Sequence, residues 1–256
     1  MIRVENISKS FNHIPVLKDI SVDFKEKNTN LIIGQSGSGK TVLLKCIIGL
    51  LNVDKGRILY DDLVFNELSF KKKKEIRKNI GMVFQGGALF DSETVEQNVK
   101  FPLDMFTDMT EEEKQHRVNE CLERVNIKNA NHLYPAEISG GMKKRVAIAR
   151  AIVVYPGYLF FDEPISGLDP KSAIRIDQLI RELTKDFETT TIINTHDMDS
   201  VMEIGDNVIF LYNGHKWWEG SRHDILDANN QELNDFVFAT NLAKTVRDLR
   251  KSGHSS

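Results

Sequence analysis

Gly34, Gln35, Ser36, Gly37, Ser38, Gly39, Lys40 and Thr41 run consecutively and fill every fixed position of the phosphate-binding pattern G-x-x-x-x-G-K-[ST]. Glycines let the backbone curl until successive N–H groups point at phosphate oxygens. A helix opening behind them adds its positive dipole end. Lys40 would give a point charge to the outer phosphates, and the Thr41 hydroxyl would ligate magnesium. The flanks supply the right context: the apolar run Leu31, Ile32, Ile33 reads as a strand, and the apolar-periodic segment 42–51 reads as a helix. Strand, glycine turn and helix in that order predict a site for a nucleoside triphosphate.

The elements around this loop follow from hydrophobic period. Residues 2–25 alternate as strands, with Ile2, Val4, Ile7, Val16, Leu17, Ile20, Val22 and Phe24 apolar. Asp54, Lys55 and Gly56 read as a turn, 57–60 as a strand, and 80–84 as a short strand ending at Gln85. From there to about 155 the spacing becomes helical. Thr110 before Glu111, Glu112 and Glu113 is an N-cap with an acidic first turn, and Val118, Cys121, Leu122 and Val125 recur on one face. Residues 158–161 and 190–194 are apolar on both faces, as in parallel strands covered by helices. Residues 208–212, the pair Asn213-Gly214 and residues 216–218 predict a hairpin, which leaves Trp217 and Trp218 on a strand with no assigned role. One α/β domain is expected, with a mainly parallel sheet, an N-terminal antiparallel β subdomain, a helical insertion near 86–155 and a short tail.

Composition narrows the function classes. The chain has 256 residues, 41% hydrophobic and 28% charged, with a formal net charge of -3. It is long enough for one sizeable core, and its charge argues against a general nucleic-acid binder. Lys71 to Lys74, followed by Glu75, Arg77 and Lys78, reads as a solvated helix face. Cys46 and Cys121 have no metal-ligand spacing and are expected to be buried and reduced. The start of the chain has no apolar core of a secretory signal. No run approaches the roughly 18 residues that span a bilayer, so any membrane role would pass through a partner.

Further motifs follow the loop in a fixed order. Ile138, Ser139, Gly140, Gly141, Met142, Lys143, Lys144 and Arg145 come first. Phe160, Phe161, Asp162, Glu163 and Pro164 come next, then Ser166, Gly167, Leu168 and Asp169, and finally His196. This ordered set resembles the nucleotide-binding subunit of ATP-binding cassette (ABC) transporters over about residues 1–225, and implies a P-loop NTPase core that hydrolyses ATP with Mg2+. The resemblance gives the residues roles. Asp162 joins Thr41 and Gln85 at magnesium, and Glu163 is the base that orients and deprotonates water. His196 matches the switch histidine at the γ-phosphate. Phe11 stacks on adenine with Val16 beside it. Asp169 crosses a dimer interface, and Ser139, Gly140 and Gly141 bind the γ-phosphate held by an opposing subunit. Glu163, His196 and Lys40 are thus the expected catalytic residues, and the cassette spans 1–235 with a tail at 236–256.

The resemblance also implies partners: a second copy in a head-to-tail dimer and a membrane permease. The ATPase would sit on the cytoplasmic face of the inner membrane without inserting into it, and would not bind nucleic acid. Two positions depart from the usual pattern: Met142 stands where the signature carries glutamine, and Ile165 where a threonine follows the Walker B proline. The Met-bearing signature with Lys143, Lys144 and Arg145 resembles the lipid-trafficking subfamily whose permeases pair with MCE proteins. An importer ATPase for an amino acid or a metal shares every catalytic motif, and a soluble non-transport ABC ATPase is a further alternative. Phe236, Val237, Phe238 and Leu242 would either anchor the tail on a neighbouring subunit or belong to a frayed helix.

Overall fold

A computed structural model describes residues 1–239. The chain opens with an antiparallel hairpin, β1 (Ile2–Phe11) and β2 (Ile14–Phe24). Asn12 and His13 join them with φ of 49° and 64°, the double left-handed turn whose twist matches paired strands. After β3 (Thr29–Ile33) and α1 (Lys40–Ile47) come β4 (Lys55–Tyr60) and β5 (Leu63–Val64), which complete a four-stranded sheet in the order β2-β1-β4-β5. The predicted turn at Asp54 to Gly56 is shorter than expected, because β4 already begins at Lys55. Gly56 lies inside the strand with φ 85°, and a Cβ there would sit 2.4 Å from the backbone oxygens of Glu5 and Asn6.

The remaining elements are α2 (Phe70–Lys78), β6 (Ile80–Val83), α3 (Val95–Phe106), α4 (Glu111–Arg124) and α5 (Gly140–Ile152). They are followed by β7 (Tyr158–Asp162), α6 (Pro170–Asp186), β8 (Thr190–Asn194), α7 (Met198–Ile204), β9 (Asn207–Tyr212), β10 (His215–Gly220) and α8 (Gln231–Val237). A six-stranded sheet runs β10-β9-β3-β8-β7-β6, parallel from β9 to β6 with β10 antiparallel at the edge. Both faces are buried. Ile32, Phe160, Ile192, Ile209 and Leu211 pack toward α1 and the small sheet. Leu31, Ile33, Phe161, Ile193 and Phe210 pack with apolar residues of α3 to α7 on the other face. Alternate residues of one strand therefore serve two cores, which explains the unbroken apolar runs.

Local signals set the ends of the helices. α1 stops at Ile47, short of the expected 51. Gly49 takes φ 75°, and the N–H groups of Gly49 and Leu50 donate to the carbonyls of Cys46 and Lys45, closing the helix in a Schellman motif. Capping boxes start α3 at Thr94 with Gln97 and α4 at Thr110 with Glu113. Ser139 caps α5 by accepting from Met142 N at 3.2 Å, so Gly140 and Gly141 form the first turn. α2 buries none of its residues, as its lysine run predicts. Cys46 and Cys121 are buried free thiols, and burial pushes them up to about 11 and about 12, which keeps both protonated.

The hairpin β9–β10 turns at Asn213 and Gly214, with φ 50° and 81°. Successive strand residues face opposite sides, so Trp217 and Trp218 of β10 have different surroundings, and the register shifts between Lys216 and Trp218. Trp218 packs on the core, and the Trp217 indole donates to Glu232 of α8 at 3.1 Å. The tail expectation needs correcting here: Val237 and Phe238 are buried in their own chain's core, and Phe236 packs 5.5 Å from the Phe210 ring. These three residues pack on their own chain, which replaces both the anchor and the frayed helix expected of them. Leu242 lies outside the described residues.

Candidate active site

Four adjacent strands deliver the chemistry. In the order β3-β8-β7-β6, their carboxyl ends lead to the phosphate-binding loop, His196, Asp162 with Glu163, and Gln85. A parallel sheet points all these ends the same way, and the crevice outside them is where ligands of such sheets bind. Here it is a cleft of about 1290 Å³ lined by Val16, the loop residues Gln35 to Gly37, Gly39 to Val42, Gln85, Glu163 and His196.

The loop is built to hold an anion. Gly34 takes φ 147°, and a Cβ there would fall 2.3 Å from the Leu211 carbonyl oxygen; Gly39 takes φ 106°. Lys40 is 8% exposed, and its Nζ donates to the carbonyls of Gly34 and Gln35 at 2.8 and 3.2 Å. Burial pushes the Lys40 ammonium below the ordinary lysine range, while Glu163 and Asp162 pull it back up. Among the described residues, the buried Ser38 hydroxyl has no hydrogen-bond partner. A buried polar atom without a partner in a loop of this geometry fits a ligand rich in acceptors, such as a polyphosphate.

The acidic pair lies opposite. Thr41 Oγ1 donates to Asp162 Oδ1 at 3.0 Å, and Asn194 Nδ2 donates to the same oxygen at 3.1 Å. A hydroxyl and a carboxylate oxygen at that spacing match the hard-oxygen set that magnesium takes. Glu163 stands at φ 51°, with its N–H donating to the Asn194 carbonyl at 3.0 Å. Its carboxylate meets His196 Nδ1 at 2.9 Å for Oε2 and 3.0 Å for Oε1. The Glu163 side chain is 13% exposed and that of His196 64%. A mostly buried carboxylate held by an exposed imidazole can accept a proton at the mouth of the cleft. The Gln85 amide lies 3.5 Å from Ser166 Oγ.

The other expected residues lie elsewhere. Phe11 is exposed at the end of β1, with Lys9 Nζ 5.3 Å from its ring, and does not line the cleft. Ser139, Gly140 and Gly141 are outside the cleft, and a Cβ added at either glycine would meet no atom within 4 Å. Asp169 caps α6 by accepting from Ser172 N at 3.0 Å; hydrogen bonds from Ser172 hold its carboxyl below the ordinary range. Ile165 is buried in the core.

Three contributions were not foreseen from the sequence. Asn194 holds Asp162, and its position directly before Thr195 at the end of a buried strand was the available signal. Lys144 is buried on α5, with Nζ donating to the Gln85 and Glu163 carbonyls. It stands three, four and seven residues before the buried Ala147, Ile148 and Ala151, the helical spacing of an inward face. Phe236, Val237 and Phe238 line the far wall of the cleft, together with Met198 and Met202 of α7.

Comparisons with known proteins agree with this geometry. A family model described as ABC transporter matches residues 17–166. The chain is 36% identical over 253 residues to the methionine import ATP-binding protein MetN of Campylobacter jejuni, covering 93% of this chain and 75% of the relative. It is 36% identical over 236 residues to the probable ribonucleotide transport ATP-binding protein mkl of Mycobacterium leprae, covering 92% and 68%. Among solved structures, a dimeric post-hydrolysis state of the ATP-binding cassette MJ0796 bound to ADP and Pi matches with a TM-score of 0.80 at 32% identity, over 87% of this chain and 99% of that one. The chain belongs to the ABC transporter family, as a cassette that binds ATP with Mg2+ and couples its hydrolysis to transport.

Proposed function

We propose that two copies of this chain hydrolyse ATP at two composite sites. Each site joins the cleft of one copy to Ser139, Gly140 and Gly141 of the other. One observation carries the reading: P-loop residues, Gln85, Glu163 and His196 line one cleft, with Asp162 hydrogen-bonded to Thr41 of that lining, while the capped glycine turn of α5 stands outside it with open space around it. A second helix N-terminus suited to anions has no ligand to serve within its own chain. The relative solved with ADP and Pi is itself a dimer.

In this reading the loop N–H groups and Lys40 bind the outer phosphates, and the Ser38 hydroxyl gains the partner it lacks. Thr41, Asp162 and Gln85 would hold magnesium, which when bound draws charge from the phosphate oxygens. Glu163 takes the proton as water oxygen bonds to the γ-phosphorus and the bond to the bridging oxygen of ADP breaks. His196 keeps that carboxylate aimed and contacts the γ-phosphate. Val16 lines the cleft where the adenine would lie, Phe11 would have to turn in from outside that lining to stack on it, and Asp169 crosses to the other copy. Tighter binding of ATP to the closed pair than to the open one would drive the permease.

The docking surface for the permease is the segment after Gln85, where the exposed Phe90 and Phe101 rings lie 4.9 Å apart. No helix among the described residues is long and apolar enough to cross a membrane, which fits a subunit held at the cytoplasmic face by that partner. Met142 and the basic residues after it support a lipid load moved with an MCE-type protein. A small solute is the second reading, favoured by likeness to the methionine importer. Glu163→Gln tests the chemistry: it should nearly abolish turnover and trap an ATP-bound dimer on gel filtration, and unchanged hydrolysis would sink the assigned base. Co-purification from native membranes tests the load: an MCE protein supports lipid, and a solute-binding protein overturns it.

A further inference from the structure

Lys144 is 7% exposed, yet among the described residues no carboxylate pairs with it within ion-pair distance. Its Nζ instead donates to two backbone carbonyls on different segments, Gln85 O and, at 3.4 Å, Glu163 O. A buried ammonium is costly unless its hydrogen bonds are directed somewhere useful. These go to the residue expected to act as the base and to a residue expected at magnesium. Glu163 needs such support, because its φ of 51° is a backbone state that a non-glycine residue keeps only when its surroundings hold it. Burial pushes the Lys144 ammonium below the ordinary lysine range, and the Glu163 and Asp162 carboxylates pull it only partly back. A second cation of the same helix repeats the pattern: Arg150 donates to the Gly87 and Ala88 carbonyls at 2.7 and 2.8 Å. Both residues lie on the helix whose first turn is Gly140 and Gly141.

We propose that Lys144 is a positioning residue that ties α5 to the general base and to Gln85 of its own chain, so that what happens at the first turn of α5 is felt at Glu163. The second half of this statement rests on the composite-site reading. If Ser139 to Gly141 face the partner's ATP, occupancy of one site presses on the cap of α5. Lys144, one turn along, then passes any shift to the base of the other site. The two sites of the dimer would be linked through a rigid helix and a buried ammonium.

The test is Lys144→Met, which keeps the length and apolar stem of the side chain and removes the donor. Full-length protein should lose about tenfold in kcat with KM for ATP within about twofold, the signature of a group that acts after binding. Its Hill coefficient for ATP should fall toward that of independent sites. Lys144→Met combined with Glu163→Gln should still form the ATP-trapped dimer, with thermal unfolding near that of Glu163→Gln alone. Wild-type kcat in Lys144→Met would overturn the proposal. So would loss of the dimer in the double variant, which would make the lysine a folding or assembly residue. If Glu163→Gln alone fails to dimerise with ATP, the composite-site reading falls with the link between sites. The kcat-to-KM split then still decides the tie to Glu163.

Discussion

Asp177 shows how far a residue can sit from its ordinary chemistry in this molecule. It lies on α6, 4% exposed, with Oδ2 accepting from Ser200 Oγ of α7 at 2.6 Å and Oδ1 without a partner among the described residues. Burial pushes its carboxyl up from 3.8 to about 6, and Asp197, Asp199 and Glu203 add to the shift. The folded chain therefore keeps a proton that the unfolded chain releases between those values. Stability must fall as pH rises through that window, and the loss is complete above about 6. Asp177→Asn removes the dependence: its stability relative to wild type should climb by about 2–3 kcal/mol across the window and stay flat outside it. Denaturant melts at a series of pH values measure this, and parallel curves would refute the shift. The residues of the ordered motifs were legible because each has a fixed neighbour in sequence. Asn194, Asp177 and Lys144 were not, since their partners Asp162, Ser200 and Gln85 lie 32, 23 and 59 positions away.

Elements were legible where the signal is local. Thr110 with Glu113 opened α4 as its types demand, and Asn213-Gly214 turned the β9–β10 hairpin. The misses came where a single residue overrides the pattern around it. Gly49 ended α1 early. Asn12-His13 formed the same turn as Asn213-Gly214 with a histidine in the glycine position, a choice composition does not announce. The segment between β6 and α3 depends on one side chain. Asn98, fully buried on α3, accepts from Phe90 N at 2.8 Å and donates to the carbonyls of Phe90, Glu93 and Thr94 at 3.0–3.1 Å. These bonds fix the loop that carries the exposed Phe90. Asn98→Ala should cost about 2–3 kcal/mol, because it strands several of the loop's polar groups. It should also open residues 86–94 to limited proteolysis. A variant as stable and protease-resistant as wild type would show that the loop is held by packing alone.

At the scale of the whole molecule, the parallel sheet and the small antiparallel sheet followed from the alternation of strands and helices, because parallel order leaves few ways to connect them. The wall of the cleft formed by Phe236 to Phe238 did not, since nothing in a short C-terminal helix says which core it closes. The two-copy arrangement, by contrast, can be tested by dividing its parts. A chain carrying Lys40→Ala should be inactive for lack of a phosphate ligand. A chain carrying Gly140→Arg should be inactive for a different reason. A Cβ at that position meets no atom of its own fold within 4 Å, so the side chain has room to leave the helix, but its bulk meets whatever faces the first turn of α5. Mixing the two inactive chains creates pairs in which the intact P-loop of one copy meets the intact Ser139 to Gly141 of the other. Random pairing makes half the dimers mixed, each with one complete site of two, so ATPase activity should recover to about a quarter of wild type if the sites fire independently, and to less than that if they are linked through α5. Recovery well below that, with mixed dimers demonstrated by differential tags, would mean that one complete site cannot fire alone. No recovery in a sample proven to hold mixed dimers, together with an active Gly140→Arg chain, would place each site within a single copy.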